Sequence, residues 1–131
     1  MILFIDDDPF QIDYYVEELR SRGLRVVVAG SVAEGRRCLR SERPSLVILD
    51  VQLPLCAPGD LLPTEREHAM VSGLTLLREI RQQDRELPVI LFTVLLDVDA
   101  AMGLDSNTRM LRKVDVLPHE LADLVQAALL G

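Results

Sequence analysis

Short apolar runs alternate along the chain with stretches whose apolar residues recur at i, i+3 and i+4. Met1-Ile2-Leu3-Phe4-Ile5, Leu46–Leu49 and Pro88-Val89-Ile90-Leu91-Phe92 are unbroken, the pattern of strands covered on both faces. Arg25–Ala29 reads as a second strand, and Met110-Leu111 lies in a brief fifth one that ends near Lys113. The first helix has Asp8 as N-cap, Pro9 at its first position and Gln11 placed for a reciprocal cap. Its apolar face is Ile12, Tyr15, Val16 and Leu19, and Gly23 stops it. Ser31 and Glu34 form a capping box for a second helix that fades before Pro44. A third helix carries Leu74, Leu77 and Ile80, with Leu76 beside Ile80. Residues near Asp97–Leu104 suit a short, weakly amphipathic helix. Pro118 opens a final one with Leu121, Leu124, Val125, Ala128 and Leu129 on one face. Strands alternating with helices predict βαβ units, hence a doubly wound α/β domain with a parallel sheet.

Composition narrows the function classes. A chain of 131 residues, 49% hydrophobic and 27% charged, suits one globular domain over residues 1–131. No apolar stretch approaches the ~18 residues of a membrane span, and no basic leader precedes the first strand, so a cytoplasmic protein is expected. Cys38 and Cys56 lack metal-ligand spacing and read as free thiols of a reducing compartment. A net charge of −7 argues against nucleic-acid binding by this domain, because phosphate contact needs a basic face. Thirteen of the 14 basic residues are arginine; the single lysine is Lys113.

The first strand runs straight into Asp6-Asp7-Asp8. At about 4 Å and an effective dielectric near 20, each like-charge pair costs roughly 4 kcal/mol. Such a cluster is splayed into water as a turn and helix cap, or holds a cation, or is partly protonated. Four strands end in a polar residue of chemical interest: Asp6-Asp7, Asp50, Thr93 and Lys113. Each alone suits a helix cap or an ordinary strand end. Together they mean more, because a parallel sheet gathers its carboxyl ends into one region, where ligands bind. The choice of lysine is also informative, since an ammonium is a compact charge that enters a small acidic pocket where a guanidinium fork does not fit. These groups suit phosphoryl transfer to a carboxylate. Asp50 is the candidate nucleophile. Asp7, with Asp6 behind it, is the candidate Mg²⁺ site, neutralising the acids and the transferred group. Lys113 and the Thr93 hydroxyl are candidate donors to phosphoryl oxygens.

On these residues the chain resembles the receiver domains of two-component response regulators. Asp6 and Asp7 stand in "FIDDDP", Asp50 in "LVILDVQLP" with Pro54 after it, and Thr93 in "PVILFT". Lys113 follows in order, and "SGLTLLREIR" matches at the third helix. The resemblance implies a flavodoxin-like fold with five parallel strands in the order 2-1-3-4-5. It implies that a sensor histidine kinase or phosphotransfer protein donates its phosphoryl group to Asp50. Mg²⁺ would be held by Asp7, Asp50 and the backbone carbonyl of Gln52, with Asp6 acting through water. Thr93 would then move inward and the face of the fourth helix and fifth strand would re-pack, changing how an output protein or domain binds. The family implies a monomer or a phosphorylation-dependent homodimer, catalysing at most its own phosphorylation and dephosphorylation.

Four positions depart from the family pattern. Between Pro54 and Gly73 stand 18 residues, Leu55–Ser72, where the family has a short connection. Loops beyond ~12–15 residues are usually functional or disordered, and this one carries His68, read as solvated. Val94 follows the threonine in place of a small residue, Met110 stands where the family often has a switching aromatic, and Val114 replaces the proline after the lysine. The alternative these departures suggest is a receiver-like interaction module that does not cycle phosphate. An aspartate-nucleophile phosphatase would typically need a second acid where Gln52 stands, and no glycine-rich loop supports a nucleotide site.

Overall fold

The computed structural model describes residues 1–54, 72–94 and 104–131. The strands are β1 (Ile2–Ile5), β2 (Val26–Ala29), β3 (Leu46–Leu49), β4 (Val89–Thr93) and β5 (Thr108–Arg112). The helices among these residues are α1 (Pro9–Ser21), α2 (Val32–Glu42), α3 (Ser72–Gln83) and α4 (Pro118–Leu130). All strand pairs are parallel, in the order β2-β1-β3-β4-β5. The expected helix near Asp97–Leu104, the stretch Leu55–Ser72 except the start of α3, His68 and Cys56 lie outside the described residues.

Strand alternation explains why β1, β3 and β4 are apolar throughout. Ile2, Phe4, Leu46, Ile48, Ile90 and Phe92 face α1 and α4, where they meet Ile12, Val16, Leu19, Leu121, Ala122 and Val125. The intervening Leu3, Ile5, Val47, Leu49, Val89 and Leu91 face α2 and α3, meeting Val32, Leu76, Leu77 and Ile80. Each strand is thus sandwiched between helix layers, as continuous apolar runs require. Leu124, expected on the buried face of the last helix, is only half-buried, and Ala122 takes that place in the core.

Local signals set the helix ends. The Asp8 carboxylate accepts from Gln11 N at 3.2 Å, and Gly23 ends α1 at φ +83°, where a side chain would be strained. The reciprocal half of that expected cap is not made, because the Gln11 side chain goes elsewhere (below). Ser31 caps α2 as expected, but Glu34 reaches the Gly30 N–H rather than that of Ser31. Two arginines then fix the edges of the sandwich. Arg81 joins the end of α3 to the turn before β5, donating to the Leu87 and Asn107 carbonyls, Asp105 and Thr108. Arg22 joins α1 to α4 through Asp123, Gln126 and the His119 carbonyl.

The start of α3 sits hard against the end of β3. Gly73 N donates to the Val51 carbonyl at 3.1 Å. A Cβ on Gly73 would overlap the Asp50 carbonyl oxygen and stand 2.7 Å from Val51 Cα. Backbone cannot yield as a flexible side chain can, so α3 must back away or β3 must bend. Gly73→Ala is therefore expected to destabilise the domain by about 2 kcal/mol or more, read as a lower urea midpoint. An unchanged midpoint would show that this contact is not close.

Candidate functional site

The strand register places the site. Ile5 pairs with Leu49, and Asp50 N donates to the Ile5 carbonyl, so Asp6 and Asp50 leave adjacent strands at one level. Thr93 pairs with Arg112, the residue before Lys113, which opens a 3₁₀ turn over Lys113–Asp115. Alternation adds direction. Asp6 continues the side of Phe4, Asp50 that of Ile48 and Lys113 that of Leu111, all toward α1 and α4. The Lys113 ammonium accordingly lies 2.5 Å from Asp6 Oδ2 and 3.2 Å from Asp50 Oδ2, also over the Phe92 ring. The other Asp50 oxygen accepts from Gln52 N at 3.1 Å, and Asp6 Oδ1 accepts from Asp8 N at 2.9 Å. Asp6, Asp50, Lys113 and Thr93 are buried, while Asp7 is exposed at the mouth. One carboxylate oxygen from each of Asp6, Asp7 and Asp50 lies within 4.8 Å of the other two.

The match to known proteins agrees with this geometry. Residues 2–110 match the family model of the response regulator receiver domain. The chain belongs to the response-regulator receiver family. It is 34% identical over 108 residues to the transcriptional regulatory protein AfsQ1 of Streptomyces coelicolor, covering 82% of this chain and 40% of that protein. It is 30% identical over 129 residues to the DNA-binding response regulator MtrA of Mycolicibacterium smegmatis, covering 98% of this chain and 50% of that one. The receiver thus spans half or less of these curated relatives' length. A putative response regulator from Chloroflexus aurantiacus superposes with a TM-score of 0.75 at 27% identity, over 99% of this chain and 97% of that one. The CheY-like receiver protein of Methanospirillum hungatei gives 0.74 at 22% identity, over 98% and 91%, a likeness of fold. The flavodoxin-like architecture and strand order expected for a receiver are therefore present.

Every site residue expected of the receiver and described in side-chain detail lies at this end of the sheet. Asp6, Asp50 and Lys113 form one bonded cluster, with Asp7 beside it and Thr93 buried at the end of β4. Of Gln52 the contact observed is its N–H on Asp50. Asp8 is the helix cap. Three of the departures lie among the described residues. Val94 and Val114 are solvent-facing, and Met110 is half-buried against the α2–α3 side of the core. No peptide bond among the described residues is cis, and Lys113 still meets both acids without a following proline.

Two residues of α1 belong to this cluster although sequence patterning assigned them other work. Gln11 Oε1 accepts from Lys113 Nζ at 2.8 Å, in place of the reciprocal cap. The Tyr15 hydroxyl donates to the Val116 carbonyl at 2.6 Å, with the Lys113 carbonyl at 3.3 Å, while its ring stands edge-on to Phe92. Both contacts span about a hundred positions in sequence, and no local pattern announces them.

Three carboxylates face one ammonium. Burial raises the Asp6 carboxyl, the Lys113 and Asp8 N–H bonds pull it down, and the balance leaves it at about 6. Ionised at neutral pH, the buried carboxylate works against the folded state. The sign is unfavourable: the unfolded chain ionises Asp6 first, so stability falls as pH climbs from about 4 to about 6. Asp7 is also raised, chiefly by burial and partly by Asp50. Burial lowers the Lys113 ammonium, but Asp6 and Asp50 outweigh it and hold it above its ordinary value. Converging oxygen donors with excess negative charge fit a hard divalent cation. Protons compete for the same oxygens. Mg²⁺ is therefore expected to raise the thermal midpoint clearly at about pH 7.5 and little at about pH 5, its affinity falling roughly tenfold per pH unit below about 6. Equal shifts in scanning calorimetry at both values would contradict this.

Proposed function

We propose that this receiver takes a phosphoryl group from the phosphohistidine of a sensor histidine kinase or phosphotransfer protein onto Asp50. The observation that supports it most is the Lys113 ammonium shared by Asp6 and Asp50, with Asp7 alongside. An Asp50 carboxylate oxygen attacks phosphorus, the P–N bond breaks, and the imidazole leaves with the electron pair. An acyl phosphate on Asp50 results. Lys113 donates to one oxygen of the transferred group, and the Thr93 hydroxyl, at the end of the neighbouring strand, to another. Asp7, Asp50 and the backbone carbonyl of Gln52 would hold Mg²⁺, with Asp6 acting through water, and the ion would offset the negative charge of acids and phosphoryl group together. The domain's chemistry is confined to its own phosphorylation and dephosphorylation.

The domain spans residues 1–131 with an insertion at about 55–72. Its output is a partner protein or a module outside this segment. The likeness to MtrA, a DNA-binding regulator, favours a DNA-binding output, and the net charge of −7 leaves nucleic-acid contact to that module. Among the described residues no helix is long and apolar enough to cross a membrane, and a cytoplasmic setting suits a protein that meets a kinase's cytosolic phosphohistidine.

Incubation with Mg²⁺ and acetyl phosphate is expected to add one hydroxylamine-labile phosphoryl group by intact mass, and Asp50→Asn to abolish the gain. A gain that persists in the variant would move the acceptor elsewhere, and none in the parent protein would sink the reading.

A further inference from the structure

An ammonium has three N–H donors and no fourth. Around Lys113 three acceptors already claim them: Asp6 Oδ2 at 2.5 Å, Gln11 Oε1 at 2.8 Å and Asp50 Oδ2 at 3.2 Å. A phosphoryl oxygen on Asp50 can gain a hydrogen bond from Lys113 only if one of these lets go. Asp6 is wholly buried, and losing the lysine would strand its charge. With Asp50 phosphorylated on Oδ1, the oxygen that accepts from Gln52 N, Oδ2 is left as a carbonyl acceptor for Lys113. Gln11 is neutral and solvent-exposed, so water replaces the lysine at little cost.

We propose that Gln11 is a placeholder, holding the third N–H of Lys113 in the resting receiver and yielding it to a phosphoryl oxygen when Asp50 is modified. This rests on the reading of Asp50 as the acceptor. Gln11 acts through Lys113 and is a positioning residue. One turn further along α1, Tyr15 grips the backbone of the same turn through the Val116 and Lys113 carbonyls. Tyr15 anchors the turn while Gln11 exchanges, so the lysine changes partner without leaving the pocket. The first turn of α1 thereby registers whether Asp50 carries a phosphoryl group.

Lys113 is the only lysine of the chain, so lysine labelled with ¹³C and ¹⁵N yields a single side-chain ammonium signal. We compare the parent protein with Gln11→Leu, leucine being a good helix former at this exposed position. Spectra are taken at rest and after addition of Mg²⁺ with beryllium trifluoride, a stand-in for the phosphoryl group. The expected result is a Lys113 signal that differs between the two proteins at rest and coincides once Asp50 is loaded. Gln11→Met repeats the comparison should the leucine variant fold poorly. Identical resting signals would show that Gln11 does not hold the lysine. A difference that persists after loading would show that it never lets go. Either overturns the placeholder while acetyl phosphate still modifies Asp50. Absence of that modification in the parent protein overturns both readings.

Discussion

One buried ammonium among three carboxylates is the constraint around which this receiver is arranged. Among the described residues, Lys113 is the single positive charge bonded to Asp6 and Asp50, and an Asp7 oxygen lies within 4.8 Å of one on each of those acids. Removing the lysine would leave the buried Asp6 and Asp50 carboxylates with no opposite charge bonded to them among the described residues. The surrounding structure is tied by hydrogen bonds where it bears on the lysine. Arg81 fixes the turn that leads into β5, and the β4–β5 register fixes where that strand stops. Tyr15 then pins the turn that follows.

The same arrangement carries a cost. The acids outnumber the ammonium, and Asp6 is driven up to about 6 by burial even with the lysine on it. A domain selected for stability alone would hold fewer acids at the end of its sheet. Unbalanced negative charge on converging carboxylates fits a hard divalent cation. Perturbed carboxyls of this kind cluster at sites of chemistry.

The described departures from the receiver pattern, Val94, Met110 and Val114, leave the Asp6–Lys113–Asp50 cluster intact. Val114 replaces a proline, yet Lys113 lies against both acids, since the Tyr15 hydroxyl holds the turn from the other side. Val94 faces solvent beyond β4. Met110 is packed among the residues that meet α2 and α3, and a flexible thioether there can adapt to a shifted neighbour. Among the described glycines, Gly73 leaves the least room for a side chain, because the backbone of Asp50 and Val51 lies against it.

Much of this was legible in the chain itself, because it follows from periodicity. Unbroken runs such as Leu46–Leu49 can be satisfied only between two apolar layers, and their ends mark where Asp6, Asp50 and Thr93 emerge. Asp8 and Gly23 act within a turn of their own backbone, so their roles were local and readable. Gln11 was not, for its spacing fits a helix cap equally well and its actual partner lies 102 positions away. Tyr15 looked like one more residue of an apolar face until its hydroxyl met Val116. The sequence by itself determined the elements, their order and which polar residues end them. Tertiary packing alone decided which of those residues touch, since the register between strands and the tilt of α1 are set by the summed fit of both core layers, which no local segment records.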